Sequence, residues 1–188
     1  MLRKFHICIM GFTQDTSRES GMEKLWRKLR GTLCLDTHCL VHPQTWDADF
    51  EALAEFIYRN GGPLTTVNIY GYSWGAGRGA VSLAEALNKR GIQVPRVVLS
   101  DPVYHSWFRL YRGMFHASMN PPIILPANVW HVDSFYQRQN TPQGTTIVLR
   151  NKAGQQTDPV KLNMTHAYMD DAEEFHARVL EVATRTVK

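Results

Sequence analysis

Hydrophobic and polar positions follow two alternating periods along this chain of 188 residues. Short apolar runs bounded by turn residues predict buried strands, whereas apolar residues three or four positions apart predict helices with one buried face. The runs that predict strands are residues 5–10, 33–40, 65–70, 96–100, 128–133 and 145–150. The helical spacing covers residues 22–29, 50–57, 76–87 and 175–182.

Residues at the expected helix ends support these assignments. Asp47 or Asp49 is placed to cap the second helix, and Gly31 and Gly91 stand where the first and third helices are expected to end. The last helix is expected to open at Asp170 with a capping box formed by the acidic residues there. Strand and helix therefore alternate, which predicts a single α/β domain over 1–188: a three-layer α/β/α sandwich with a mostly parallel sheet of about six strands.

Composition and charge mainly exclude other classes of protein. A hydrophobic fraction of 44% and a charged fraction of 20% are typical of a globular domain. The net charge of +4 is scattered along the chain, so we expect no nucleic-acid partner. We also expect no stable membrane insertion, because no apolar run is long enough to span a bilayer. The first apolar stretch breaks at Gly11 and the three cysteines are an odd number, so a cytoplasmic location is expected.

Two sequence patterns admit a second interpretation. Residues 34–42 (CLDTHCLVH) contain two cysteines and two histidines, which could bind zinc. Side chains alternate in an extended strand, however, so these four would point to opposite faces, and we expect no metal. Residues 75–80 fit the dinucleotide fingerprint G-x-G-x-x-A, but their first glycine lies several residues beyond the strand instead of ending it. We therefore expect no cofactor.

A third pattern carries a specific chemical prediction. Directly after strand 65–70 comes GYSWG (residues 71–75), a G-x-S-x-G motif between a strand and a helix. A serine on such a tight turn is lifted above the sheet at a helix N-terminus, where free N–H groups favour developing negative charge. The turn is crowded, so only very small side chains fit at Gly71 and Gly75. Ser73 is therefore the predicted nucleophile.

On this motif and the order of its elements, the chain resembles the α/β-hydrolase superfamily, in particular its small lipase- and esterase-like members. The resemblance extends over nearly the whole chain, and GYSWG is its most specific part. It implies a catalytic triad in the chain order serine, acid, histidine. The matching positions are Asp101, which ends strand 96–100, and His166, which precedes the last helix. Asp133 ends the next expected strand and is the alternative acid.

The resemblance also implies two backbone N–H donors for an oxyanion. One belongs to Trp74, and the other to Phe12 or Thr13 in the loop after the first strand. The first two strands of the superfamily are not recognisable, which implies a trimmed α/β-hydrolase fold. The aromatic-rich residues 102–127 would form a small cap that lines an apolar acyl pocket.

These expectations describe a serine hydrolase that cleaves a small-molecule or lipid-like carboxylic ester through an acyl-serine intermediate, without a cofactor. The triad does not fix the leaving group, so thioester and amide cleavage stay open. The alternative is a non-catalytic protein that keeps the fold and binds an acyl ligand or a protein partner. The loop MGFTQD favours this alternative, because it lacks the histidine-glycine start that is common in the superfamily.

Overall fold

The structure, a computed structural model, describes residues 4–14, 19–33, 38–62, 64–104 and 121–185. Helices flank a central sheet in this part of the chain. They are α1 (Gly21–Leu33), α2 (Phe50–Gly61), α3 (Ala80–Asn88) and α4 (Glu173–Thr184). No helix in these ranges is both long enough and apolar enough to cross a membrane.

Parallel strands form the central sheet of the described chain. They are β1 (Lys4–Ile9), β2 (Cys39–Gln44), β3 (Thr66–Tyr72), β4 (Val97–Ser100), β6 (His131–Tyr136), β8 (Gln155–Gln156) and β9 (Val160–Lys161). A separate pair contains β5 (Ile123–Leu125) and β7 (Ile147–Leu149). The sheet order is β2-β1-β3-β4-β6, and both β8 and β9 pair with the outer edge of β6. The predicted α/β fold is confirmed, with seven strands in the sheet because its last position is divided between two short strands.

Each face of the sheet has its own hydrophobic core. Phe5, Ile7 and Ile9 of β1 face the helices α2 and α3, whereas Cys8 and Met10 face α1 and α4. A parallel sheet that is covered on both sides needs apolar residues at successive positions. This explains why the central strands appear in the sequence as continuous apolar runs rather than as alternating ones.

The strand register brings the chemically interesting segments to one edge of the sheet. Ile9 of β1 pairs with Gly71 of β3, which pairs in turn with Leu99 of β4. All three strands are parallel, so the residues that follow them meet at the carboxyl edge. Ligand sites in open α/β sheets lie at this edge.

Two predicted boundaries near the amino end are wrong. α1 continues past Gly31 to Leu33, because an exposed glycine inside a helix costs only about 1 kcal/mol relative to alanine. β2 begins at Cys39 and not at residue 33, and it is an edge strand with most of its residues half-buried. Of the two caps predicted for α2, Asp47 and Asp49, the cap is Asp49, whose carboxylate accepts a hydrogen bond from the N–H of Ala52 at 2.9 Å.

Three other predictions need correction or lie outside the described chain. β6 begins and ends three residues later than the predicted strand 128–133, so Asp133 lies inside the strand and not at its end. The capping box at Asp170 is wrong, because α4 begins at Glu173 without a side-chain cap and Asp170 lies in a preceding 3-10 helix, His166–Asp171. The expected cap over 102–127 falls mostly on residues 105–120, which are not among the described residues.

Candidate active site

Ser73 lies on a strained turn between β3 and the helix that follows. Its φ angle of 54° is in the left-handed region, which costs a non-glycine residue about 1–3 kcal/mol. The turn leaves no room for side chains on either side. A Cβ atom at Gly71 would lie 2.8 Å from the Cα atom of Ala76, and one at Gly75 would lie 2.3 Å from the carbonyl oxygen of Met10. The glycines of the motif are therefore required by the close packing of the helix start against β3 and against the end of β1.

A chain of hydrogen bonds connects Ser73 to a buried carboxylate. Ser73 Oγ lies 2.8 Å from His166 Nε2, and His166 Nδ1 lies 2.6 Å from Asp101 Oδ2. A neutral imidazole with its proton on Nδ1 donates to Asp101 and accepts the hydroxyl proton of Ser73 through Nε2. Asp101 is fully buried, whereas the His166 side chain is 12% exposed. The structure thus brings together the three residues that the sequence analysis selected.

The Asp101 carboxylate is held by further donors from a single loop. Gly144 N–H donates to Oδ1 at 2.9 Å, and the side-chain amide of Gln137 donates to Oδ2 at 3.0 Å. A Cβ atom at position 144 would lie 2.4 Å from Oδ1, so only glycine fits there. Asn140, in the same loop, accepts a hydrogen bond from His166 N–H at 2.8 Å. One loop therefore positions both the acid and the histidine.

The alternative acid, Asp133, has different partners. Its Oδ1 accepts hydrogen bonds from Arg178 Nη2 and from Thr157 Oγ1, each at 2.9 Å. Because Asp133 lies inside β6, its side chain points to the face of the sheet that α4 covers, and Arg178 belongs to α4. Asp133 forms a structural ion pair, and Asp101 is the carboxylate that contacts His166.

The turn after β1 runs directly beside Ser73. A Cβ atom at Gly11 would lie 3.2 Å from the Cβ atom of Ser73. Gln14 N–H donates to the carbonyl of Gly11 at 3.1 Å, and Thr13 has a φ angle of 67°. Within the described part of the chain, the N–H groups of Phe12 and Thr13 have no acceptor. These amides belong to the turn that approaches Ser73, and the N–H of Trp74 follows Ser73 at the start of the helix.

An aromatic cluster next to this turn contains one residue that sequence reasoning missed. The ring centroid of Phe12 lies 5.5 Å from that of Trp74 and 5.6 Å from that of Trp46, and the two indoles are 5.0 Å apart. Phe12 is 51% exposed. Trp46 comes from the loop after β2, and only the pairing of β2 with β1 brings it here. The guanidinium of Arg78 stacks on the Trp46 ring at 5.5 Å.

The segment that carries His166 is fixed by residues for which the sequence analysis predicted no such role. The hydroxyl of Tyr72 donates to the carbonyl of His166 at 2.8 Å, and the two rings stack with centroids 5.1 Å apart. Ser100 Oγ donates to the carbonyl of Met169 at 2.6 Å. Burial raises the pKa of Asp170, and hydrogen bonds from Gln14 and the backbone oppose this shift. Tyr72 lies within the motif GYSWG, whereas the sequence signal for Ser100 is its position at the carboxyl end of a strand.

The described residues contain no group of three or more histidine, cysteine, aspartate or glutamate side chains that could hold a metal ion. Cys34 lies outside the described residues. His42 lies within them, and its ring Nδ1 is hydrogen-bonded to the carbonyl of its neighbour Pro43 at 2.7 Å. Of the glycines in the run 75–80, Gly75 and Gly79 approach the end of β1, and Gly77 approaches the carbonyl of Val103 after β4.

Comparisons with known proteins add information on the fold. No protein-family model matches the chain, and no curated protein matches its sequence. Among solved structures, the chain is similar to RedJ with a PEG molecule bound in the active site, with a TM-score of 0.53 and 14% sequence identity. The match covers 99% of this chain and 94% of RedJ. A likeness at this level of identity supports the α/β architecture described above.

Proposed function

We propose that this protein is a serine hydrolase of the α/β-hydrolase superfamily, and that it cleaves carboxylic esters through an acyl-serine intermediate. The observation that carries the proposal is the hydrogen-bond chain from Ser73 through His166 to Asp101, with heavy-atom distances of 2.8 and 2.6 Å. Nucleophile, base and orienting acid are in hydrogen-bond contact in this order, which is the arrangement that activates a serine hydroxyl.

In the first half of the reaction, Ser73 Oγ attacks the ester carbonyl while His166 Nε2 takes the hydroxyl proton. The carbonyl π electrons move onto oxygen, and the resulting oxyanion accepts hydrogen bonds from the N–H of Trp74 and from Phe12 or Thr13. The tetrahedral intermediate then collapses. The bond to the alkoxide leaving group breaks, and His166 gives its proton to that oxygen, so the alcohol leaves and the acyl group stays on Ser73.

In the second half, water replaces the alcohol. His166 takes a proton from the water as its oxygen attacks the acyl carbon, and the same amides hold the second oxyanion. Collapse breaks the bond to Ser73 Oγ, which recovers its proton from His166, and the carboxylic acid leaves. Asp101 remains a carboxylate throughout and holds the imidazole in the tautomer that presents Nε2 to the serine.

The aromatic cluster of Phe12, Trp46 and Trp74 supports an ester with an apolar part. It lies beside the turn amides and presents a half-exposed ring. Exposed aromatic surface binds apolar groups because the contact removes apolar surface from water, which is favourable. We also propose a cytoplasmic location, because Cys8 is a buried free thiol of the kind that persists in reducing compartments.

A fluorophosphonate probe tests the proposal, because it phosphonylates activated serines. We expect the wild-type protein to be labelled and to hydrolyse a panel of p-nitrophenyl esters. Ser73→Ala is expected to lose both properties while keeping the same circular dichroism spectrum. A wild-type protein that is folded but neither labelled nor hydrolytic would contradict the proposal and favour a non-catalytic protein that binds an acyl ligand or a partner.

A further inference from the structure

One side chain joins the turn beside Ser73 to the segment that carries His166. Gly11 N–H donates to Gln14 Oε1 at 3.0 Å, and Gln14 Nε2 donates to Asp170 Oδ2 at 2.8 Å. The side-chain amide of Gln14 therefore accepts a hydrogen bond from the turn through Oε1 and donates one to the segment of His166 through Nε2. These segments are 156 residues apart in sequence, and the described contacts hold them together at the carboxyl edge of the sheet.

The Gly11 end of the bridge determines the shape of the turn. Gln14 closes the turn twice: its side chain accepts from Gly11 N–H, and its own N–H donates to Gly11 C=O at 3.1 Å. The N–H groups of Phe12 and Thr13 lie between these two anchored positions. Their directions relative to Ser73 are therefore set by where the Gln14 side chain is held.

The Asp170 end is itself rigid. Asp170 is 3% exposed, and its Oδ2 also accepts from Met22 N–H at 3.2 Å, at the first turn of α1. The close approach requires Gly21, because a Cβ atom there would lie 2.3 Å from the carbonyl carbon of Asp170. Asp170 belongs to the same 3-10 helix as His166. The carboxylate thus gives Gln14 a fixed reference point in the helix that carries the histidine.

We propose that Gln14 and Asp170 are positioning residues that set the turn amides and His166 at one geometry around Ser73. The inference rests on the proposed function and goes beyond it, because neither side chain contacts the reacting atoms. The amides act only on charge that develops in the transition state, so a displaced turn lowers kcat and leaves KM nearly unchanged. A misplacement of about 1 Å is sufficient for a loss of about 100-fold.

A charge-swap series tests the bridge. Gln14→Glu places two carboxylates face to face, and we expect kcat for p-nitrophenyl acetate to fall about 10- to 100-fold with KM within about twofold. Asp170→Asn alone is expected to lower kcat less, since one amide oxygen can still accept from Gln14. In the double variant, the amide introduced at position 170 can donate to the carboxylate introduced at position 14, which removes the charge repulsion at the cost of the hydrogen bond from Met22 N–H. Adding Asp170→Asn to Gln14→Glu is therefore expected to raise kcat at least about fivefold, which corresponds to about 1 kcal/mol of activation free energy.

Asp171→Asn is the matched control, because Asp171 is in the same 3-10 helix but pairs with the exposed Lys24. We expect its kcat to equal that of the wild type. Circular dichroism and urea unfolding, measured on each variant, separate a loss of folding from a loss of turnover. The inference is overturned if the variants change the free energy of unfolding but not kcat. It is also overturned if adding Asp170→Asn to Gln14→Glu lowers kcat further. A wild-type protein that does not react with the fluorophosphonate would instead overturn the proposed function, and the catalytic role of the bridge with it.

Discussion

Polar residues at the carboxyl edge of the sheet have different partners from polar residues inside the sheet. At the edge, Asp101 is connected through His166 to Ser73, which lies on the turn after β3. Inside the sheet, Asp133 is bonded to Arg178, and His6 is bonded to the hydroxyl of Tyr70 at 2.9 Å. The edge set and the interior set each contain an aspartate and a histidine. Position relative to the strand end therefore decides whether such a residue can act on a ligand.

The largest expected difference is between the two aspartates. Asp101→Asn keeps the shape of the side chain but favours the wrong imidazole tautomer, so kcat should fall by about 10⁴-fold. Ester hydrolysis by the purified variants measures this effect, with Asp133→Asn as the matched control on the neighbouring strand. An equal loss in both variants, or a loss only in Asp133→Asn, would remove the distinction between edge and interior.

The next effect concerns the interior histidine. Burial lowers the pKa of His6 to about 4 from 6.5, with a smaller contribution from the positive charge of Lys4. Between these two pH values the unfolded chain binds a proton that the folded protein does not bind, so stability falls as the pH falls. The loss approaches about 3 kcal/mol at the low end of this range.

Urea unfolding at a series of pH values between 7 and 4 tests this prediction, with His6→Gln as the variant that does not titrate. As the pH falls across this range, we expect the wild type to lose more unfolding free energy than His6→Gln. Parallel curves for the two proteins would show that the pKa of His6 is the same in the folded and unfolded states, which would contradict its assignment to the interior set.

A smaller effect is expected from removing the interior carboxylate. Asp133→Asn leaves Arg178 without its charged partner in β6, although this guanidinium keeps Glu181 as a second partner and its side chain is 25% exposed. We expect a loss of about 1–3 kcal/mol of unfolding free energy, since the broken pair is only partly buried. Denaturant unfolding measures this loss, and kcat is expected to stay within about twofold of the wild type.

The smallest expected effect concerns the aromatic cluster at the carboxyl edge of the sheet. Trp46→Ala removes part of the aromatic cluster, so it should reduce the preference for p-nitrophenyl hexanoate over acetate by about 10-fold in kcat/KM. The rate with acetate should be nearly unchanged, because Trp46 contacts Phe12 and Trp74 but none of the residues in the hydrogen-bond chain. Equal losses for both esters would assign Trp46 a purely structural role.

Local sequence patterns were sufficient for the architecture and for Ser73. The apolar runs predicted every strand of the sheet's centre, and the two glycines around Ser73 marked the turn because its packing permits no larger residue. Asp101 and His166 followed from a family resemblance, and their contact with Ser73 depends on strand order, which no single segment contains.

The sequence was less informative where contacts join distant segments. Gln14 and Trp46 lie in loops whose role depends on the pairing of β1 with β2 and on the position of the final 3-10 helix. The three-residue error in β6 made Asp133 a candidate acid, because apolar residues on both sides of that strand give no signal for its end. The capping box failed for a similar reason: the buried side chain of Asp170 bonds to Gln14 and to the N-terminus of α1 rather than to its own helix.

The central claim is that Ser73 carries the acyl group during turnover. The most direct measurement is an acid quench of the protein during hydrolysis of a p-nitrophenyl ester, followed by peptide mass spectrometry. We predict that the mass of one acyl group is added to the peptide that contains GYSWG, and that this addition is absent in Ser73→Ala. Hydrolysis by the wild-type protein with no acyl group on Ser73, or with the acyl group on another residue, would contradict the account.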